Sequence, residues 1–291
     1  MQGNEEKKHN IRGHKILLAS VLCLFGFCLL AQKPVQNKQS RPQQEAKAQA
    51  PKKQQAKSKV YLIHSDMLRK DSRHPDAQVV TGNVVFRHDS VYMYCDSAYY
   101  YDKLGSFEAF SNVKMNQGDT LFLYGDRLYY DGNTQIAEVR NNVRMENRNT
   151  TLLTDSLNYD RLYNLGYFFD GGTLMDEQNV LTSEWGEYNP STKQSVFNYN
   201  VKLVNPQFTL TSDTLEYNTQ SKVAEIVGPS DILSDNNHIY SEQGTYNTAT
   251  GKAALYQRSI ITNDAKQLTG DTLFYDRNTG VGEAFSHMEM R

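Results

Sequence analysis

The strongest constraint on this chain is a phrase that it repeats. The stretches GDRLYYDG (Gly125 to Gly132), TDSLNYDR (Thr154 to Arg161) and GDTLFYDR (Gly270 to Arg277) share an acid, a Leu two positions on and a Tyr four positions on. With the acid as origin, the phrase recurs at Asp66, Asp96, Asp126, Asp155, Glu184, Asp213, Glu242 and Asp271, in steps of 30, 30, 29, 29, 29, 29 and 29 residues. A unit that short cannot bury an apolar face alone, so the repeat predicts units stacked on one continuous interior.

Further columns stay in phase. Three residues before the acid stand Ile63, Met93, Leu123, Leu152, Leu181, Leu210, Ile239 and Leu268, and the residue just before it is always small, Cys95 among them. Thirteen after it stand Val79, Ala109, Val139, Phe168, Phe197, Ile226, Leu255 and Ala284; nineteen after it stand Val85, Met115, Met145, Leu174, Leu203, Ile232, Ile261 and Met290. The Tyr column runs from Tyr100 to Tyr275, with Lys70 in the first unit. Both extra residues of the longer units are placed after the last column.

These columns predict strands. Leu215 and Tyr217 alternate with Thr214, Glu216 and Asn218, the period of a strand with one buried face. The column before the acid has the opposite parity, so the inward face changes near the acid, as at a bulge or corner. Two polar turn signals per unit, such as Asp131-Gly132-Asn133 and Asn147-Arg148-Asn149, give about sixteen strands. The expected fold is all-β, an elongated antiparallel jelly roll of about eight two-strand repeats; a parallel β-helix is the alternative. At ~4.8 Å per strand the jelly roll would run roughly 75 Å, and the β-helix about half that. A chain with 19 Tyr, 12 Phe and one Trp suits strands better than a helical bundle.

The net charge of −2 hides an asymmetry: residues 1–59 carry 12 Lys/Arg against 3 Asp/Glu, leaving 19 against 30 in the rest. An acidic body without clustered cations argues against nucleic acid. Within the basic head, Lys7, Lys8, Arg12 and Lys15 precede the apolar run Ile16 to Ala31. That is the pattern of an export signal cleaved after Ala31, with an uncleaved membrane anchor at residues 16–31 as the alternative. Residues 32–59, rich in Gln, Lys, Ala and Pro, read as a disordered linker, and residues 60–291 as the folded domain. Removal of the signal would take Cys23 and Cys28 with it, so stability must come from packing rather than disulfides.

Motifs for chemistry are scarce. The seven His are scattered with no metal-ligand spacing, Gly280-Val281-Gly282 opens no phosphate-binding loop, and there is no GxSxG. Neither a catalytic residue, a metal nor a cofactor is expected. One acid per unit beside a bend reads as structural rather than as a calcium ladder, which needs several oxygens in one loop. Cys95 reads as a small packing residue, and the Tyr column as core.

The segments SDTLEYNTQSKVAEIVGPSDI (Ser212 to Ile232), GDRLYYDGNTQIAEVRNNVRM (Gly125 to Met145) and VVTGNVVF (Val79 to Phe86) resemble the OstA-like family of lipopolysaccharide transport proteins, the LptA type and the periplasmic part of LptD. The resemblance runs from about Val60 to the end. It implies a V-shaped jelly roll in the periplasm that shelters the acyl chains of lipopolysaccharide or lipooligosaccharide on the way to the outer membrane. It also implies end-to-end strand pairing with LptC-like or LptD-like jelly rolls, or with further copies of the chain. The expected lipid-groove residues are Leu123, Val139, Met145, Leu152, Phe168, Leu174, Leu181, Phe197 and Leu203. The competing reading is a structural or adhesive β-solenoid of the cell envelope with a closed core.

Overall fold

The computed structural model describes residues 58–234, 236–264 and 266–291. The export signal or anchor at residues 1–31, and the linker as far as Lys57, lie outside the described residues. No helix among the described residues is long and apolar enough to cross a membrane.

The described residues form twenty-two strands. Six pairs of them are halves of one course interrupted at a corner, such as Leu165–Phe168 with Gly172–Asp176 and Asn179–Ser183 with Trp185–Tyr188. Counted as courses there are sixteen, two per repeat. Consecutive courses pair antiparallel throughout: Leu121–Asp131 lies between Ser106–Gln117 and Ile136–Asn147, and Phe208–Asn218 follows Gln194–Asn205 in the same way. This is the antiparallel jelly roll. A parallel β-helix is excluded, because the connections are tight turns that can join only antiparallel neighbours.

The inward face changes at the acid. Along Leu121–Asp131 the buried residues are Leu121, Leu123 and Gly125, then Leu128 and Tyr130, with Asp126 and Arg127 both exposed between them. The companion course buries Ala137 and Val139, then Val143, Met145 and Asn147, around exposed Asn141 and Asn142. Pairing slips at the same place, between Tyr124 and Arg127 and between Arg140 and Val143. The slip is made by two successive left-handed residues: Ser111-Asn112, Asn141-Asn142, Tyr199-Asn200, Gln257-Arg258 and Ser286-His287 all have φ between 47° and 66°. Asn tolerates that conformation better than most residues.

The acids hold these corners. Asn83, Asn112 and Asn142 each donate from Nδ2 to the acid of the preceding course, Asp66, Asp96 and Asp126, at 3.0, 2.7 and 2.6 Å. Asn200 does the same to Glu184, and His287 Nδ1 lies 2.7 Å from Asp271. The small column serves the same bend: Ser183, Ser212 and Ser241 each donate to the carbonyl two residues on. Cys95 occupies this column, buried, and burial pushes its thiol up to about 12.

In the first unit the extra residue falls before the corner, not after the last column. Leu68 and Ala98 both pair with Val80, and Met93 pairs with Phe86. The residues that continue the two apolar columns are therefore Val80 and Phe86, not Val79 and Val85. The cause is the irregular turn at Asp71 to His74, where the register shifts.

Each course is thus bent into two halves, and the halves face each other across an apolar interior. Phe86 stacks on Phe107 with centroids 4.0 Å apart, and Phe208 meets Tyr246 edge-on at 4.7 Å. One cluster of buried side chains runs from Val60 to Tyr275. The turns at one end are tied into their own ladder, by Gly132 N to Gly105 O, Arg161 N to Gln135 O, Thr219 N to Lys193 O and Thr248 N to Lys222 O, at 2.8–3.1 Å. Within most turns an Asp or Asn side chain caps the next amides, as Asn189 does for Ser191 and Thr192.

Candidate functional site

The nine residues expected to line a lipid groove are brought together. Leu123, Val139, Met145, Leu152, Phe168, Leu174, Leu181, Phe197 and Leu203 all face the interior, and none is more than 1% exposed. Leu123, Met145, Leu152, Leu174, Leu181 and Leu203 form one unbroken row of paired residues on one half-sheet. Val139, Phe168 and Phe197 face them from the other half, Phe168 and Phe197 flanking Gly186 in register. A Cβ on Gly186 would come within 2.6 Å of the Phe168 ring, so the glycine is the space that the two large rings require. In this state side chains fill the interior.

Opposite the corner, where the half-sheets end, they are joined among the described residues by side chains. The Tyr column supplies one side of this seam. Its rings are buried, as expected of core, and the hydroxyls of Tyr130, Tyr188 and Tyr217 reach across to a polar column two residues beyond the last apolar one. Tyr188 donates to Asn147 Oδ1 at 3.1 Å, Tyr217 donates to Asp176 Oδ2 at 2.7 Å, and Tyr130 lies 2.6 Å from His88 Nδ1. Tyr159 and Gln117 converge on Asn164 Oδ1 at 3.2 and 2.7 Å. Burial raises these phenols, Tyr130 to about 12, so all remain protonated donors.

Cations close some rungs. Arg161 donates to Tyr130 and His88, while Arg277, in the turn ladder on the Tyr side, donates to the Tyr246 hydroxyl at 2.9 Å. Lys222 Nζ sits 2.8 Å from both oxygens of buried Asp176 and 3.1 Å from Glu177. Burial alone would lower the Lys222 pKa, but the two carboxylates outweigh it and raise it. Lys193 holds the equivalent place one repeat earlier and bonds Asn147. A cleft of about 530 Å³ opens here, lined by Arg148, Asn149, Lys193, Thr219, Gln220 and Lys222 with Asn147 and Asp176.

The repeat columns do not reveal the seam, because they follow apolar residues. Its trace in the sequence is a polar column of continuing inward parity: Gln117, Asn147, Asp176, Asn205 and Ser234 each stand two beyond a residue of the last apolar column. Among the described residues no group of three or more His, Cys, Asp or Glu is placed to hold a metal ion.

No curated protein matches the chain. Among solved structures, LptH of Pseudomonas aeruginosa, the LptA-homologous periplasmic component of its lipopolysaccharide transport device, is similar at 14% identity with a TM-score of 0.37; the match covers 40% of this chain and 96% of that one. The profile of the OstA-like proteins matches residues 57–213 and 209–271, most of the sixteen-course body with its corners and its seam. The chain belongs to the OstA-like protein family.

Proposed function

We propose that this protein is a periplasmic bridge component of lipopolysaccharide or lipooligosaccharide transport to the outer membrane, sheltering acyl chains between its half-sheets and performing no catalysis. The observation that carries this is the form of the interior: an unbroken apolar row repeated at equal steps, enclosed by backbone at the corner and by side chains alone at the seam. Each methylene moved from water into such an interior gains ~0.8 kcal/mol. Near-identical steps make neighbouring positions similar in energy, which passive movement along the body requires.

The first and last described strands extend the reading to partners. Tyr61, Ile63, Met67 and Leu68 at one end, and Val281, Phe285, Met288 and Met290 at the other, are exposed. Apolar edges of this kind suit strand addition by an LptC-like or LptD-like jelly roll or by a second copy. The export pattern of residues 1–31 agrees with a periplasmic location, with or without a tether at residues 16–31.

The filled interior favours a second reading, a closed structural solenoid. Photocrosslinking separates the two. A photoreactive residue at Phe168, Leu181 or Phe197 of the protein in living cells is expected to capture lipopolysaccharide, whereas one at exposed Thr211 is not. A folded, exported protein that yields no adduct from any interior position would establish the closed solenoid instead.

A further inference from the structure

The seam contains its own internal control. Asn147, Arg148, Tyr188 and Lys193 recur 29 residues later as Asp176, Glu177, Tyr217 and Lys222, and the geometry recurs with them. In the second rung the lysine is matched by two carboxylates. In the first, both carboxylate positions have changed, to a neutral amide and to a guanidinium, while the lysine stays. Among the described residues no carboxylate oxygen lies within 4 Å of either Lys193 or Arg148. Lys193 is only partly exposed, and Nζ bonds the Asn147 side-chain oxygen. Burial, and then Arg148, push its pKa below the ordinary value.

A half-buried lysine beside an exposed arginine, with no carboxylate within 4 Å of either, forms an incomplete site, because Lys193 is partly desolvated and the Arg148 charge raises its energy further. An anion completes it. We infer that Arg148 and Lys193 bind the phosphate groups of an amphiphile whose acyl chains occupy the interior below the seam. This rests on the lipid-bridge reading and deepens it by giving the headgroup a place. Arg148 supplies the planar fork suited to phosphate oxygens, Lys193 a point charge, and Asn149 and Gln220 further amide donors on the same cleft. Asp176 and Glu177 line the far end, where Lys222 offsets one of their two charges, so repulsion confines a phosphate to the Arg148 side. The position fits a headgroup. Asn147 is two residues along its strand from Met145 of the apolar row, so a molecule anchored at this rung has its apolar part at the interior.

The test uses the full chain and two lipids in detergent micelles, a bisphosphorylated lipid A and the same lipid stripped of phosphate, with inorganic phosphate as the free-anion probe. The wild type is expected to bind the phosphorylated lipid roughly tenfold more tightly, a preference that shrinks as salt screens the charges. The double variant Arg148→Gln with Lys193→Gln should lose the preference while keeping the affinity for the stripped lipid. Lys193→Arg, which preserves charge and tests the site without loss of the cation, should retain it. Equal binding of both lipids by the wild type, or a preference that survives in the double variant, would overturn the headgroup site and leave the lipid-bridge reading standing. If neither lipid binds, that reading fails; millimolar inorganic phosphate then decides. Binding that depends on Arg148 and Lys193 would make the site one for the free anion, and its absence would overturn the site altogether.

Discussion

His88 ends its strand with a buried ring, and its neighbours decide its proton. Tyr130 and Arg161 both point donors at Nδ1, at 2.6 and 3.0 Å, so Nδ1 accepts and Nε2 carries the hydrogen. The charged groups around it are Arg161 and Asp89, whose carboxylate stands 3.8 Å from Nε2. Burial, and then Arg161, lower the pKa below 6.5, and Asp89 offsets them only in part. The folded state therefore favours neutral His88. Below pH 6.5 the unfolded chain binds the extra proton first, so this contribution is complete above about 6.5 and is lost as the pH falls through the lower folded value. Between pH 8 and 5 the Tm of the wild type should fall more steeply than that of His88→Gln; parallel curves would show that His88 does not titrate against the fold. None of this was legible in the sequence, where His88 is one of seven scattered His. Gly186 is similar: it interrupts a Leu-rich column for no visible reason until Phe168 and Phe197 are seen on either side of it.

At the scale of the bent strand, the sequence was more informative. The switch of inward parity located the corner within a residue or two, and the structural reading of the acid column agrees with the Asn-to-acid bonds. What could not be read was the partner, since the acid and its Asn are 16 or 17 residues apart and meet only through pairing across the bulge. The irregular first turn also moved two columns by one residue in the first unit, because a count along the chain cannot tell which of two polar segments absorbs an insertion. The corner makes a separable prediction at Asn142, which has φ 50° and donates to Asp126. Asn142→Gly keeps the left-handed backbone and loses the bond, which at this exposed place should cost about 0.5 kcal/mol. Asn142→Ala loses both and should cost a further ~1 kcal/mol. In denaturant unfolding, Asp126→Ala should add little to Asn142→Gly, since the two share one interaction. Fully additive losses would mean that the bond contributes nothing.

Across the whole molecule, the two margins of the interior differ in kind. At the corner each course passes covalently from one half-sheet to the other, and the acid–Asn bonds brace the crossing. At the seam the halves are held by single side-chain bonds, from Tyr188 to Asn147, from Tyr217 and Lys222 to Asp176, and from Tyr130 and Arg161 to His88. Repeat phase made the stacked interior legible from sequence, but the closure depends on which end of one course faces which end of another, about 41 residues away. On the proposed lipid-bridge function, acyl chains entering a filled interior must displace side chains, and separating the halves at the seam breaks far fewer bonds than parting neighbouring strands, whose backbone ladder runs the length of each course. On that proposal the corner is the hinge. Amide hydrogen exchange should therefore change unevenly when lipid is loaded. The seam segments around Asn147 to Thr150 and Tyr188 to Lys193 should lose protection, while the paired strands Tyr124 to Gly125 and Val143 to Arg144 beside the corner keep theirs. Uniform protection in both places would mean that lipid binds without opening the seam, and loss at the corner with a protected seam would place the hinge on the opposite margin.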